Sequence, residues 1–183
     1  MECPVLINRG SIPSLYRNPV TTNRLSLQNS IRQWVDIDHW NHPFGVTLTL
    51  KQRVWIDNDR GRHGVTLTPE DGSRNLRHFL NVLNKQVYGS SSRRFGKQLP
   101  VIPVLEGGGT KRLHYHLVMD CPRDDLIEVF PSMVVQTWRK TVWGHDQTHI
   151  TPCDKGWVSY ITKLRDKPDF GSSIDWLNCH NPH

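Results

Sequence analysis

No stretch of the 183 residues is apolar for long enough to cross a membrane as a helix, and residues 1–10 lack the apolar segment of a secretory signal. None of the four cysteines, Cys3, Cys121, Cys153 and Cys179, belongs to a Cys-x-x-Cys pair. Without that pair or a signal, the thiols are expected to be reduced, in a cytoplasmic setting. The group Cys179, His180 and His183 hints at zinc, but so near a terminus it is expected to be unstructured. No internal repeat is visible, which excludes a repeat architecture. Acidic side chains are the minority: 17 Asp and Glu face 23 Lys and Arg, for a net charge of +6.

That basic balance, with a pI near 9.4, points to an anionic partner, of which nucleic acid is the commonest. Apolar residues make up 36 %, a low share for a globular chain. Seven tryptophans nevertheless argue for a packed core and for some exposed aromatic surface. The length suits one domain with one core.

Residues 1–42 show no sustained period and read as an arm or helical preface, with one helix expected around Leu27–Val35. Phe44 to Leu50 alternates apolar and polar side chains, as a half-buried strand does. Val54–Ile56 and Val65–Thr68 flank Asp57-Asn-Asp-Arg-Gly61, which suggests a hairpin with a basic tip. Leu76, Phe79, Leu80, Leu83 and Val87 predict a helix over Asn75–Tyr88, capped by Ser73 and ended by Gly89. Gly89–Gln98 reads as a loop. Leu99–Glu106 and Arg112–Asp120 read as strands around a Gly107–Lys111 turn. A helix is expected from Asp124 to Val142, interrupted or divided by Pro131; Gln147–Thr151 is a short strand, and Lys155–Lys167 a helix stopped by Pro168. The order predicts an α+β fold: a central antiparallel, RRM-like sheet with helices packed mainly on one face. The expected division is an arm at 1–42, a main domain at 43–170 and a tail at 171–183.

The sharpest chemical signal is Leu113-His-Tyr-His-Leu117. Residues two apart on a strand share a face, so His114 and His116 project together while Leu113, Tyr115 and Leu117 face the core. Two imidazoles side by side suit one metal ion, although a polar sheet face can hold two histidines for no such reason. A five-residue loop at 107–111 would pair Glu106 with Arg112 and set Glu106 diagonally beside His114 on the same face. A loop of four or six residues would turn it away. In the favourable register the site has two His and one carboxylate, a set for Mn²⁺ that can also accept Mg²⁺, Co²⁺, Ni²⁺ or Zn²⁺. His149 is a weaker alternative ligand. Downstream, Trp157, Ile161 and Leu164 make a buried helical stripe, and Tyr160 and Lys163 share a neighbouring face. A phenolate can attack a phosphodiester, and a lysine one turn away can stabilise the developing charge. Taken alone, such a tyrosine is as readily a packing residue.

Together these segments resemble the HUH endonuclease superfamily, in particular its single-tyrosine rolling-circle replication initiators, over about residues 44–167. His114-Tyr115-His116 resembles its His-hydrophobic-His motif, Tyr160-x-x-Lys163 its tyrosine motif, and Val46-Thr-Leu-Thr49 its first strand motif. Glu106, eight residues before His114, resembles the carboxylate ligand of circular single-stranded DNA virus initiators. Gly156 and Leu164, the neighbouring positions where a second tyrosine would fall, speak for the single-tyrosine class. No Walker loop appears; Gly89 to Gly96-Lys97-Gln98 has the wrong spacing and lacks Ser or Thr after the lysine. The helicase that accompanies viral and some plasmid initiators is therefore expected from a longer protein or from the host.

The resemblance implies a metal, Mn²⁺ or Mg²⁺, held by Glu106, His114 and His116. It implies attack by Tyr160 with help from Lys163, a 5′ phosphate left on the tyrosine, and a free 3′ hydroxyl. The implied partner is an origin or end sequence, single-stranded or extruded as a hairpin, in the cytoplasm or, for a eukaryotic virus, the nucleus. No membrane is implied. Lys51, Arg53, Arg60, Arg62 and Arg74, and separately Arg93, Arg94 and Lys97, can hold phosphates, and Trp55, Phe95 or Trp143 can stack on unpaired bases. Two rivals remain: a single-tyrosine transposase, and a non-catalytic RRM-like nucleic-acid-binding module.

Overall fold

Alternation sets the two central strands. In β1 (Pro43–Leu50), Val46, Leu48 and Leu50 are fully buried, and Thr47 and Thr49 face the other way. In β5 (Lys111–Asp120), Leu113, Tyr115, Leu117 and Met119 join them in the same core. The computed structural model describes residues 29–59, 61–108, 111–163 and 171–181. With β4 (Val101–Gly108) and β6 (Gly144–Pro152) the strands form one antiparallel sheet in the order β4-β5-β1-β6. A second, two-stranded sheet is the expected hairpin, β2 (Arg53–Asn58) paired with β3 (Gly61–Thr66).

The main core lies between the sheet and two helices, α1 (Pro69–Tyr88) and α3 (Phe130–Arg139). Phe79 meets Trp138 edge-on there, with ring centroids 5.4 Å apart. The opposite face is also partly covered. Ile102, Val104 and Val118 of the sheet pack with Val158 and Ile161 of α4 (Lys155–Ile161), with Ile174, and with Ile31, Val35, Ile37 and Trp40. The α+β architecture is therefore as expected, with its larger helical layer on one face.

Several boundaries differ from the sequence expectation. α1 begins six residues early because Thr68, not Ser73, caps it: Thr68 and Asp71 form a reciprocal capping box just before Pro69 at the first turn. The stretch after Gly89 is not all loop but carries a short helix, α2 (Ser90–Phe95). Pro131 does not interrupt a long helix. It opens α3, where its missing N–H costs nothing, and a 3-10 turn at Asp124–Leu126 precedes it. The last strand is longer than expected, reaching back to Gly144. Of the expected N-terminal helix, residues 29–34 are helical and 27–28 lie outside the described residues. α4 ends at Ile161, and positions 164–170, including Leu164 and Pro168, lie outside them too.

The C-terminal stretch runs along β4. Val101 and His180 exchange two backbone hydrogen bonds of 2.7 and 2.8 Å, and Asp175 N–H donates to the Pro103 carbonyl at 3.0 Å. Pro103 cannot donate to a ladder, so its place on this outer strand is the one a sheet tolerates. Asp175 also accepts from the Tyr115 hydroxyl at 3.1 Å and from Asn178 Nδ2 at 2.7 Å. No helix among the described residues is long and apolar enough to cross a membrane.

Candidate active site

The β4–β5 register differs from the expected one. Glu106 lies opposite His114, not Arg112, and Gly108 pairs with Lys111 across a tighter turn. Gly107 makes the intervening bulge, at φ 102°, where a Cβ would overlap the Arg112 carbonyl. The shift amounts to two residues, one full pleat, so Glu106 keeps the expected face. It therefore sits directly across from His114 rather than diagonally.

His114 Nε2 and His116 Nε2 stand 3.2 Å apart, and Glu106 Oε2 is 3.9 and 3.8 Å from them. These three residues are the one group of metal-ligating side chains that draws together among the described residues. Each ring is held through its other nitrogen: His114 Nδ1 lies 2.9 Å from the Arg112 carbonyl, and His116 Nδ1 lies 3.0 Å from Thr47 Oγ1. A carbonyl only accepts, so Nδ1 of His114 carries the hydrogen and Nε2 keeps its lone pair, the form a metal ligand takes. Two imidazole nitrogens bound to one ion at about 2.0–2.1 Å sit roughly 3 Å apart. The donor set thus fits a divalent ion, and lone pairs aimed at one another at this distance call for a cation between them. His149 stands across Thr47 from His116 in register and does not join the group.

α4 brings the tyrosine to this site. Asp154 caps the helix by accepting from Trp157 N–H at 2.8 Å. Trp157 Nε1 donates to the Leu117 carbonyl at 3.1 Å, which pins the helix to the histidine strand. The indole lies so close over β1 that a Cβ on Gly45 would come within 2.6 Å of it. The Tyr160 ring then meets His116 edge-on at 5.2 Å between centroids, and Lys163 Nζ lies 4.5 Å from the Tyr160 ring centre. Tyr160 is 41 % exposed, so it borders the metal-ligand group and solvent alike. The helix is held from behind as well: Arg32 Nε donates to Thr162 Oγ1 at 3.0 Å, and Lys155 pairs with Asp38 at 2.9 Å. The other described tyrosines do not share this setting. Tyr115 is fully buried, with its phenol pKa raised by burial and by Asp175, and Tyr88 closes α1.

The basic residues fall at two ends of the sheet. Arg53 and Arg62 are on the β2–β3 hairpin, which leaves β1 at the end where His114 lies; Lys51 immediately precedes the hairpin. Arg74 is engaged with Asp71 at 2.6 Å, and Arg60 lies outside the described residues. Arg93 and Arg94 of α2, and Lys97 after it, lie at the opposite end, where Arg123 bonds the Val87 carbonyl at 3.0 Å. Among the expected stacking rings, Trp55 and Phe95 are exposed, but Trp143 is buried in the main core and presents no face to a base. Its backbone is tied to Asn75 and Lys51, which draws the ring inward. At the tail, burial pushes the Cys179 thiol up to about 11, so it stays protonated near neutrality and is a poor zinc ligand.

Thr47, Gly45 and Trp157 shape the site, yet the sequence reading gave none of them a role there. Thr47 was within reach, since it alternates with the buried residues of β1 and so faces the histidines. Neither the curated proteins nor the solved structures include a significant match to the chain. The sequence model of the replication-associated protein ORF2 family does match, over residues 43–169, which takes in all six strands, both metal-ligand strands and the Tyr160 helix. The chain belongs to the replication-associated protein ORF2 family.

Proposed function

We propose that this protein is a metal-dependent, single-tyrosine HUH endonuclease that nicks single-stranded or hairpin origin DNA to start rolling-circle replication. One observation carries the reading: Tyr160 packs against His116, itself grouped with His114 and Glu106. A nucleophile and three metal-ligating groups thus meet on one sheet face, in a chain of a replication-associated family.

The chemistry that a bound Mn²⁺ or Mg²⁺ supplies is withdrawal of charge from the scissile phosphate oxygens. Glu106, His114 and His116 hold and orient it, and Thr47 fixes the His116 ring. Tyr160 Oη forms a new bond to phosphorus as the bond to the 3′ oxygen breaks. The phenol proton passes to solvent, and the departing 3′ oxygen takes one up. The 5′ phosphate remains on Tyr160, and the free 3′ hydroxyl can prime synthesis. Lys163 stands against the Tyr160 ring, where its charge favours the phenolate and the crowded phosphorus. Reversal of the step rejoins ends, so strand transfer is expected, and unwinding falls to a separate helicase.

The test is a denaturing gel of the protein incubated with Mn²⁺ and labelled single-stranded oligonucleotides. The expected result is a slow-migrating adduct that peptide mapping places on Tyr160 and that Tyr160→Phe abolishes. An adduct formed by Tyr160→Phe, or cleavage that leaves a bare 5′ end, would overturn the mechanism. Binding with no cleavage at all would leave a nucleic-acid-binding module.

A further inference from the structure

The β2–β3 hairpin has two unlike faces. Val54 and Val65 pair across it and pack against the main core. The other face carries Trp55, 57 % exposed, with the Arg53 and Arg62 guanidinium carbons 5.1 and 5.4 Å from its ring centre. Gly64 lies directly opposite Trp55, and any side chain there would overlap Arg53. The glycine therefore gives Arg53 its seat beside the indole. The acidic neighbour on this face, Asp57, reaches Arg62 only at 4.0 Å.

The hairpin is also fixed in place. Gln52, at its base, accepts from Leu113 N–H at 3.0 Å and donates to the Leu113 carbonyl at 3.3 Å. Leu113 immediately precedes His114. The aromatic and basic face is thus anchored at the end of the sheet that carries the metal-ligand group.

We propose that Arg53, Trp55 and Arg62 form a binding platform for single-stranded DNA beside the nick site. This rests on the nuclease reading and adds to it a place for the strand. A base takes one face of the Trp55 ring and displaces a guanidinium, which turns to an adjoining phosphate. The exchange is favourable because a stacked base holds an exposed ring more strongly than an exposed guanidinium does, and the displaced arginine gains a charge-assisted bond. Single strands suit the platform because their bases offer free π-faces, whereas a duplex keeps them stacked. Two cations around an exposed ring argue against an apolar protein partner.

The experiment measures binding of a fluorescein-labelled, mixed-sequence single-stranded oligonucleotide by anisotropy in EDTA, where no cleavage occurs, across a range of salt. Trp55→Ala should weaken binding by roughly fivefold to a hundredfold, the loss of one stacked base, and leave the salt dependence unchanged. Arg53→Ala and Arg62→Ala should each lower the slope of log K against log salt by about 0.7, one phosphate contact on a single strand. Trp55→Phe should restore most of the affinity, which separates stacking from misfolding. Wild-type affinity in Trp55→Ala, or an equal loss on duplex DNA of the same sequence, would overturn the platform. Because no cleavage is measured, absence of the Tyr160 adduct would sink the nuclease reading and leave this result standing.

Discussion

The two faces of the sheet are built to different standards. One buries a continuous layer, Val46, Leu48, Leu50, Tyr115 and Leu117 against Phe79, Leu83 and Trp138, with no charged side chain in it. The other is sealed only in part: Ile102, Val104 and Val118 lie under α4 and residues 31–40, while Glu106, His114, Thr47 and Thr49 extend beyond that cover. The chemistry sits at the margin of the smaller cluster. The first face can supply stability because nothing on it has to reach solvent. The second keeps an opening and relies on a few directed contacts, such as Trp157 to Leu117 and Thr47 to His116, to hold its groups in position.

The difference can be broken most sharply at His114. His114→Ala should abolish cleavage and weaken Mn²⁺ binding in calorimetry while the denaturation midpoint barely moves; unchanged metal affinity would remove His114 from the site. Phe79→Ala tests the opposite face. It should cost about 3–5 kcal/mol in chemical denaturation, through the cavity it leaves beside Trp138, and leave Mn²⁺ affinity intact in the protein that remains folded. Lys163→Ala should slow single-turnover cleavage by roughly tenfold to a thousandfold, the range for loss of one charge-stabilising donor. A wild-type rate there would release Lys163 from the reaction. Gly45→Ala should have the smallest effect, about tenfold on cleavage with metal affinity preserved, because the overlap shifts α4 at a cost of about 1–3 kcal/mol. Equal rates in the two proteins would mean that the indole moves aside freely.

The parts of the site legible in the sequence were those set by period and by local order. His114 and His116 share a face because the strand period is two, and the placement of Glu106 survived a register error because that error was also two. Tyr160 and Lys163 could be read as neighbours because helical spacing is local. What escaped depends on partners far along the chain. The hydrogen bond from His116 to Thr47 requires the pairing of β1 with β5. The role of Gly45 appears only once Trp157 lies across it, more than a hundred residues later. Trp143 read as an available ring because Trp is as often at a surface as in a core, and only the packing of β6 against α1 decides between them. The capping box at Thr68 was visible as Thr-x-x-Asp, but the apolar period that starts at Leu76 drew attention to Ser73 instead.

Tyr115 lies between the two histidines in sequence and faces the other way, fully buried, with its hydroxyl spent on Asp175. Removing the chain beyond residue 170 would leave that hydroxyl inside the core with its acceptor gone, at a cost of about 1–3 kcal/mol. It would also strip the outer strand of the backbone partners that Asp175 and His180 provide and expose a bare edge to other chains. A shortened protein of this kind should unfold at lower denaturant concentration and self-associate. The closing stretch of the chain therefore serves as a guard rail for the strand bearing Glu106, and any trimmed version intended for solution work should keep it.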